Sequence, residues 1–111
     1  MPTTSTMSCS RNDVVLLPIP FTDLRSTKVR PAVVIGHGSH PGDLFVVPVT
    51  SQIHNADFAL TSWQAAGLNV PSGMKAQIAT VEDALVRKVV GRLAAADSAL
   101  LDSHLRSWLG L

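Results

Sequence analysis

Apolar and polar positions fall into two regimes along this chain. Up to about residue 80 the apolar residues come in short, β-branched runs: DVVLLPIP at 13–20, PAVVIG at 31–36 and LFVVPV at 44–49, separated by segments rich in Gly, Pro, Ser and Asp. Runs of this length bounded by turn residues predict strands. Prolines at 18 and 20 suit an edge, a bulge or a bend in the first strand and disfavour a regular central one. Residues 21–29 read as a loop and HGSHPGD as a turn. Residues 58–60 and 75–80 read as further strands, with a loop or short helical turn between them around Gly67 and Pro71.

Past residue 90 the spacing changes. Leu93, Leu100, Leu101, Leu105, Trp108 and Leu109 recur at three- and four-residue intervals on one side of a helix of about three to four turns. Asp97 or Ser98 suits its cap or first turn, and Gly110 its stop. Strands collected first and a helix last predict an α+β, mainly β architecture or a small partly closed barrel, and argue against a βαβ array.

A length of 111 residues supports one core. The Ser/Thr-rich leader, residues 1–11, lacks periodicity and reads as flexible, leaving a single domain over 12–111. With 46% hydrophobic and 15% charged residues and a net charge of +1, the chain is suited to folding but lacks the strongly basic balance of most nucleic-acid binders. Contact with RNA therefore has to come from a local patch, and Arg25, Lys28 and Arg30 form the one such cluster. One cysteine, Cys9, excludes an internal disulfide framework and reads as an exposed, incidental thiol. No run reaches the ~18 apolar residues of a membrane span, and the first ten residues lack the apolar core of a secretory signal, so the expected location is the cytoplasm with no membrane partner.

Candidate chemistry concentrates in two places. Pro31 forces Arg30 into an extended conformation, which puts a guanidinium at a strand mouth. PVTSQ, residues 48–52, ends the third strand with two hydroxyls and an amide. Taken singly, Arg30 reads more readily as a surface partner of Asp13 or Asp23, and Thr50 as a strand residue bonded to its own backbone. His37, His40, His54 and His104 lack the neighbouring Cys or carboxylate cluster of a zinc site, so neither a metal nor any other cofactor is expected. His54, just past PVTSQ, is a candidate proton carrier or a solvated loop residue. Trp108 belongs to core or dimer packing, whereas Trp63 either covers the end of the core or stacks a base or a partner segment.

The run DVVLLPIPFTDLRSTKVRPAVVI, the PVTSQ pentad, AGL at 66–68, QIATV at 77–81 and the closing GRL with its helix together resemble the PemK/MazF group of toxins from bacterial toxin-antitoxin systems. The resemblance implies an SH3-like, PemK/CcdB-type barrel with a C-terminal helix, a homodimer, and inhibition by a cognate antitoxin. It further implies metal-independent cleavage of single-stranded RNA, with Arg30 and Thr50 as catalytic residues and Ser51 and Gln52 contacting RNA. Phe21, in the first loop where relatives meet RNA or antitoxin, and Lys75 and Gln77 join that contact set with Arg25, Lys28 and His54. The chain departs from the pattern at Ala79, where relatives often carry an arginine.

The chemistry fits these side chains on its own terms. In metal-free cleavage the ribose 2′-hydroxyl attacks its neighbouring phosphorus, and the protein must hold the backbone in line and stabilise charge growing on the nonbridging oxygens. Arg30 offers a planar fork of donors for those oxygens. Thr50 can donate to a phosphate oxygen or hold the attacking hydroxyl. Two binding readings stand beside this one: a gyrase binder of the CcdB type on the same barrel, or a degenerate PemK-like module without catalysis.

Overall fold

The computed structural model describes residues 8–18 and 28–111. Seven strands run β1 Asp13–Pro18, β2 Val29–His37, β3 Asp43–Thr50, β4 Phe58–Ala59, β5 Gly73–Met74, β6 Ala79–Glu82 and β7 Lys88–Arg92, followed by helix α1 Ala95–Leu109. They form one antiparallel sheet in the order β4-β5-β3-β2-β1-β7, with β6 also pairing β3. The expected class, α+β and mainly β, holds. Among the described residues no pairing joins β7 back to β4 or β6, so the sheet curls without closing.

The apolar runs of β1, β2 and β3 are continuous because both sheet faces are covered. Alternate residues Val14, Val33, Val47 and Val49 enter one cluster with Leu60, Ala66, Met74, Leu93, Leu101 and Leu105. Their neighbours Val15, Leu17, Ala32, Val34, Leu44 and Val46 enter a second cluster with Cys9 and Val86. A period of two thus sorts one run into two cores.

Several expectations are corrected. β1 is an interior strand between β2 and β7: Pro18 stands at its last position, and the irregularity lies at Val14/Val15, where the register with β7 shifts. The strand expected over 75–80 starts only at Ala79: residues 75–78 lie between β5 and β6, where the Ala76 amide bonds to Asp57 and the chain turns at Lys75–Gln77. β7 is a further strand that the apolar runs do not predict, since KVVGR is short and holds only two apolar residues between Lys88 and Gly91. Cys9 is buried in the second cluster, and burial, with Asp13 and Asp83 nearby, pushes its thiol pKa up. Leu109 is 55% exposed and lies off the face that Leu101 and Leu105 bury.

Helix α1 seats on the first cluster through Leu101 and Leu105, each contributing about 2 kcal/mol on burial. Ala94 occupies the N-cap position without a side-chain bond. Asp97, one turn in and fully buried, accepts from the Thr61 amide at 2.9 Å, the Thr61 hydroxyl at 2.8 Å and the Ser62 amide at 2.9 Å. Gly110 ends the helix with φ +72, as the C-terminal glycine leads one to expect. The loop after β4 is consequently tied to the helix through one carboxylate. Replacing it strands two amides and a hydroxyl, so Asp97→Ala should lower unfolding free energy by about 2–4 kcal/mol in denaturant titrations, with Asp97→Asn losing less.

Candidate active site

The β2–β3 ladder pairs Val34 with Val46, Val33 with Val47 and Ala32 with Pro48, and there it stops. Beyond that point β2 continues along β1, pairing Arg30 with Leu17, while β3 turns to β5, pairing Thr50 with Gly73. Pro31 sits at the parting and has no amide hydrogen to extend the ladder. The Pro48 carbonyl faces the other edge of β3, where it accepts the Lys75 amide at 3.2 Å. Arg30 and Thr50 thus each stand two residues beyond the last pair, Ala32 with Pro48, on the two arms of the fork.

A cleft of about 510 Å³ opens at this fork, and Arg30, Thr50, Ser51, Gln52, Lys75 and Gln77 all line it. Arg30 is exposed and makes no ion pair among the described residues, while Asp13, one of the partners considered for it, is engaged by Arg92 at 2.8 Å. The Thr50 Oγ1 accepts the Gln52 amide at 3.0 Å, which orients the hydroxyl and leaves its hydrogen available. The Gln52 Oε1 accepts from the Asn55 Nδ2 at 2.8 Å, so its amide nitrogen remains to donate. The arrangement presents two cations, two hydroxyls and two carboxamides to one volume, a donor-rich set suited to an anion.

Lys75 and Gln77 owe their place to a tight turn. The Gln77 amide donates to the Lys75 carbonyl at 2.8 Å and the Ala76 amide to Asp57 Oδ2 at 2.7 Å. The remaining wall comes from Leu68, Asn69, Val70 and Ser72, none of which sequence reasoning assigned to the site. The signal was the polar Asn69 between Gly67 and Pro71 in a loop already marked by the AGL tripeptide.

Other candidates stand apart. His54 lies on a single 3-10 turn, Ile53–Asn55, exposed and outside the cleft lining; Lys28 is exposed and likewise outside it. Phe21 and Arg25 lie outside the described residues. Trp63 packs against the first core cluster, in keeping with a cover for its end. Trp108 meets the ring pair of Phe58 and His104, which stack at 4.2 Å between centroids. The His37 Nε2 lies 3.0 Å from the Cys9 carbonyl oxygen. Among the described residues no three His, Cys, Asp or Glu side chains gather in a metal-holding group, and no helix is long and apolar enough to cross a membrane.

A curled antiparallel sheet and a terminal helix thus frame a cationic cleft at a strand fork. The sequence profile described as PemK-like, MazF-like toxin of type II toxin-antitoxin system matches residues 10–109, and the chain belongs to that family. Among solved structures it is similar to the Mycobacterium tuberculosis toxin MazF-mt6, at 17% identity and a TM-score of 0.69, covering 89% of this chain and 97% of that one. It is also similar to an endoribonuclease in complex with its cognate antitoxin from a mycobacterial species, at 16% identity and a TM-score of 0.66, covering 91% and 92%. No curated protein matches by sequence. At these identities the structural likeness is one of fold.

Asp57 holds the Lys75–Gln77 turn through an exposed bond. Asp57→Ala should therefore speed hydrogen exchange at the Ala76 and Gln77 amides about ten-fold while shifting global stability by no more than about 1 kcal/mol, as exchange mass spectrometry and unfolding curves would report.

Proposed function

We propose that this protein is a metal-independent endoribonuclease toxin that cleaves single-stranded RNA by attack of the ribose 2′-hydroxyl on the adjacent phosphorus. The observation that carries the reading is the convergence of Arg30 and Thr50 on one cleft at the β2–β3 fork, with Lys75 and Gln77 beside them. The O2′–P bond forms as the P–O5′ bond breaks, giving a 2′,3′-cyclic phosphate and a 5′-hydroxyl fragment. Arg30 takes the nonbridging oxygens as their charge grows, and Thr50, its hydroxyl oriented by the Gln52 amide, donates to the same phosphate or holds the nucleophile. Lys75 adds a point charge where a second fork of donors is missing, Ala79 being unable to supply one.

On the same reading a cognate antitoxin neutralises the protein. A segment of it folds on binding and occupies the RNA groove. The mycobacterial endoribonuclease of similar fold, held in complex with its own cognate antitoxin, supports this part. The toxin itself is a homodimer acting in the cytoplasm, with one cleft per subunit.

Purified protein should cut a single-stranded RNA pool in EDTA and leave 5′-hydroxyl ends. Arg30→Ala and Thr50→Ala should each slow cleavage by roughly 10²–10³-fold, about 2.7–4 kcal/mol of transition-state stabilisation, with unchanged thermal unfolding. Absence of cleavage in every RNA pool, or growth inhibition that survives Arg30→Ala, would instead favour a binding toxin.

A further inference from the structure

One wall of the cleft has no part in the phosphate chemistry. Residues 67–72 form it, and both ends of this loop are fixed. Gly67 has φ +88, and a Cβ there would lie 2.2 Å from the Val90 carbonyl oxygen; a Cβ on Gly91 would lie 2.3 Å from that of Ala66. Two glycines thus let the loop backbone sit directly on β7. The Leu68 amide donates to the Trp63 carbonyl at 3.2 Å, and Leu68 packs on the core. At the far end Ser72 is buried, its hydroxyl donates to the Val70 carbonyl at 2.8 Å, and its own carbonyl accepts the Leu60 amide at 2.9 Å.

Between these anchors Asn69 and Val70 are exposed, and both line the cleft with Arg30, Thr50 and Gln77. The Asn69 carboxamide makes no hydrogen bond among the described residues, and Ser72 has already committed its hydroxyl to Val70. On this wall, then, Asn69 is the side chain that offers both a donor and an acceptor to the cleft.

We propose that Asn69 is a specificity-determining residue that reads the edge of one nucleobase, with the Val70 side chain as the apolar surface against which that base rests. The assignment rests on the ribonuclease reading above. Contacts to phosphate through Arg30 and Lys75 position a strand but carry no sequence information, so discrimination must come from groups that reach base edges. Unpaired bases in single-stranded RNA expose those edges. A carboxamide complements an edge with a donor beside an acceptor, as the amino group and adjacent ring nitrogen of adenine and of cytosine provide. Because the loop is held at both ends, little ordering cost offsets the contact, and a base lacking the pair leaves the amide desolvated and unmatched.

The test is to sequence the 5′ ends of fragments released from a random RNA pool by the wild-type chain, Asn69→Ala and Asn69→Asp. Asn69→Ala should flatten the base preference at a single position near the cut, with the preferred base losing about ten-fold in relative cleavage there and the other positions unchanged. Asn69→Asp, an acceptor alone, should move the same position toward guanine, whose open edge presents two adjacent donors. Identical preferences in wild type and both variants, or a simultaneous loss at every position, would overturn the assignment while leaving the ribonuclease reading intact. A wild-type chain that cuts no RNA would overturn both.

Discussion

The hydrogen-bond ladder between β2 and β3 ends at Ala32 and Pro48, and the functional geometry depends on that ending. Had the two strands remained paired, positions 30 and 50 would stand as ordinary cross-strand neighbours on a flat sheet. Pro31 removes a donor that would continue the ladder, while beyond it β2 stays paired with β1 and β3 with β5, each on the edge away from the other strand. The two strands are thus held from outside while their facing edges part to open a cleft. Arg30 and Thr50 remain on strands, where the backbone holds side chains more firmly than a loop would.

That fork is stable because the strands are clamped on both faces behind it. Val33 and Val47 press into the core beneath the helix, while their neighbours Val34 and Val46 press into the second core on the other side. A slip of one residue would move Arg30 away from Thr50, and here it would exchange the contents of two well-filled cores at once. The Asp97 clasp on Thr61 and Ser62 extends the same rigidity to the segment that leads into the cleft's second wall.

Much of this was legible in the sequence, and the parts that were not share a cause. The three long strands, the terminal helix and its glycine stop follow from periodicity and turn residues, signals local to a few positions. The Arg30–Pro31 and PVTSQ segments could be recognised as strand mouths for the same reason. Elements fixed by distant partners were hidden: β7 is short and held by β1, the 75–80 segment turns where Asp57 takes an amide from it and becomes a strand only at Ala79, and Cys9 is buried by folding back onto β1 and β2. Asn69 escaped notice because its position is set by the fit of Gly67 against β7, a contact between residues more than twenty apart.

Charge explains why the two walls of the cleft divide their work. A protein of net charge +1 cannot hold a polyanion by broad electrostatic attraction, and among the described residues the cleft contributes Arg30 and Lys75 as cations. Each phosphate neutralised adds to affinity by releasing counterions, and two such contacts supply little of it. On the ribonuclease reading the rest has to come from hydrogen bonds and apolar contact with the bases, made by groups already in place before the strand arrives. The wall built from the ends of β2 and β3 and the Lys75–Gln77 turn supplies the cations and hydroxyls that a phosphate requires whatever the sequence. The glycine-seated loop supplies an amide and an apolar surface, whose value depends on which base meets them. A weakly charged toxin of this construction would therefore depend on base contacts for its grip on RNA as well as for its choice of cutting site.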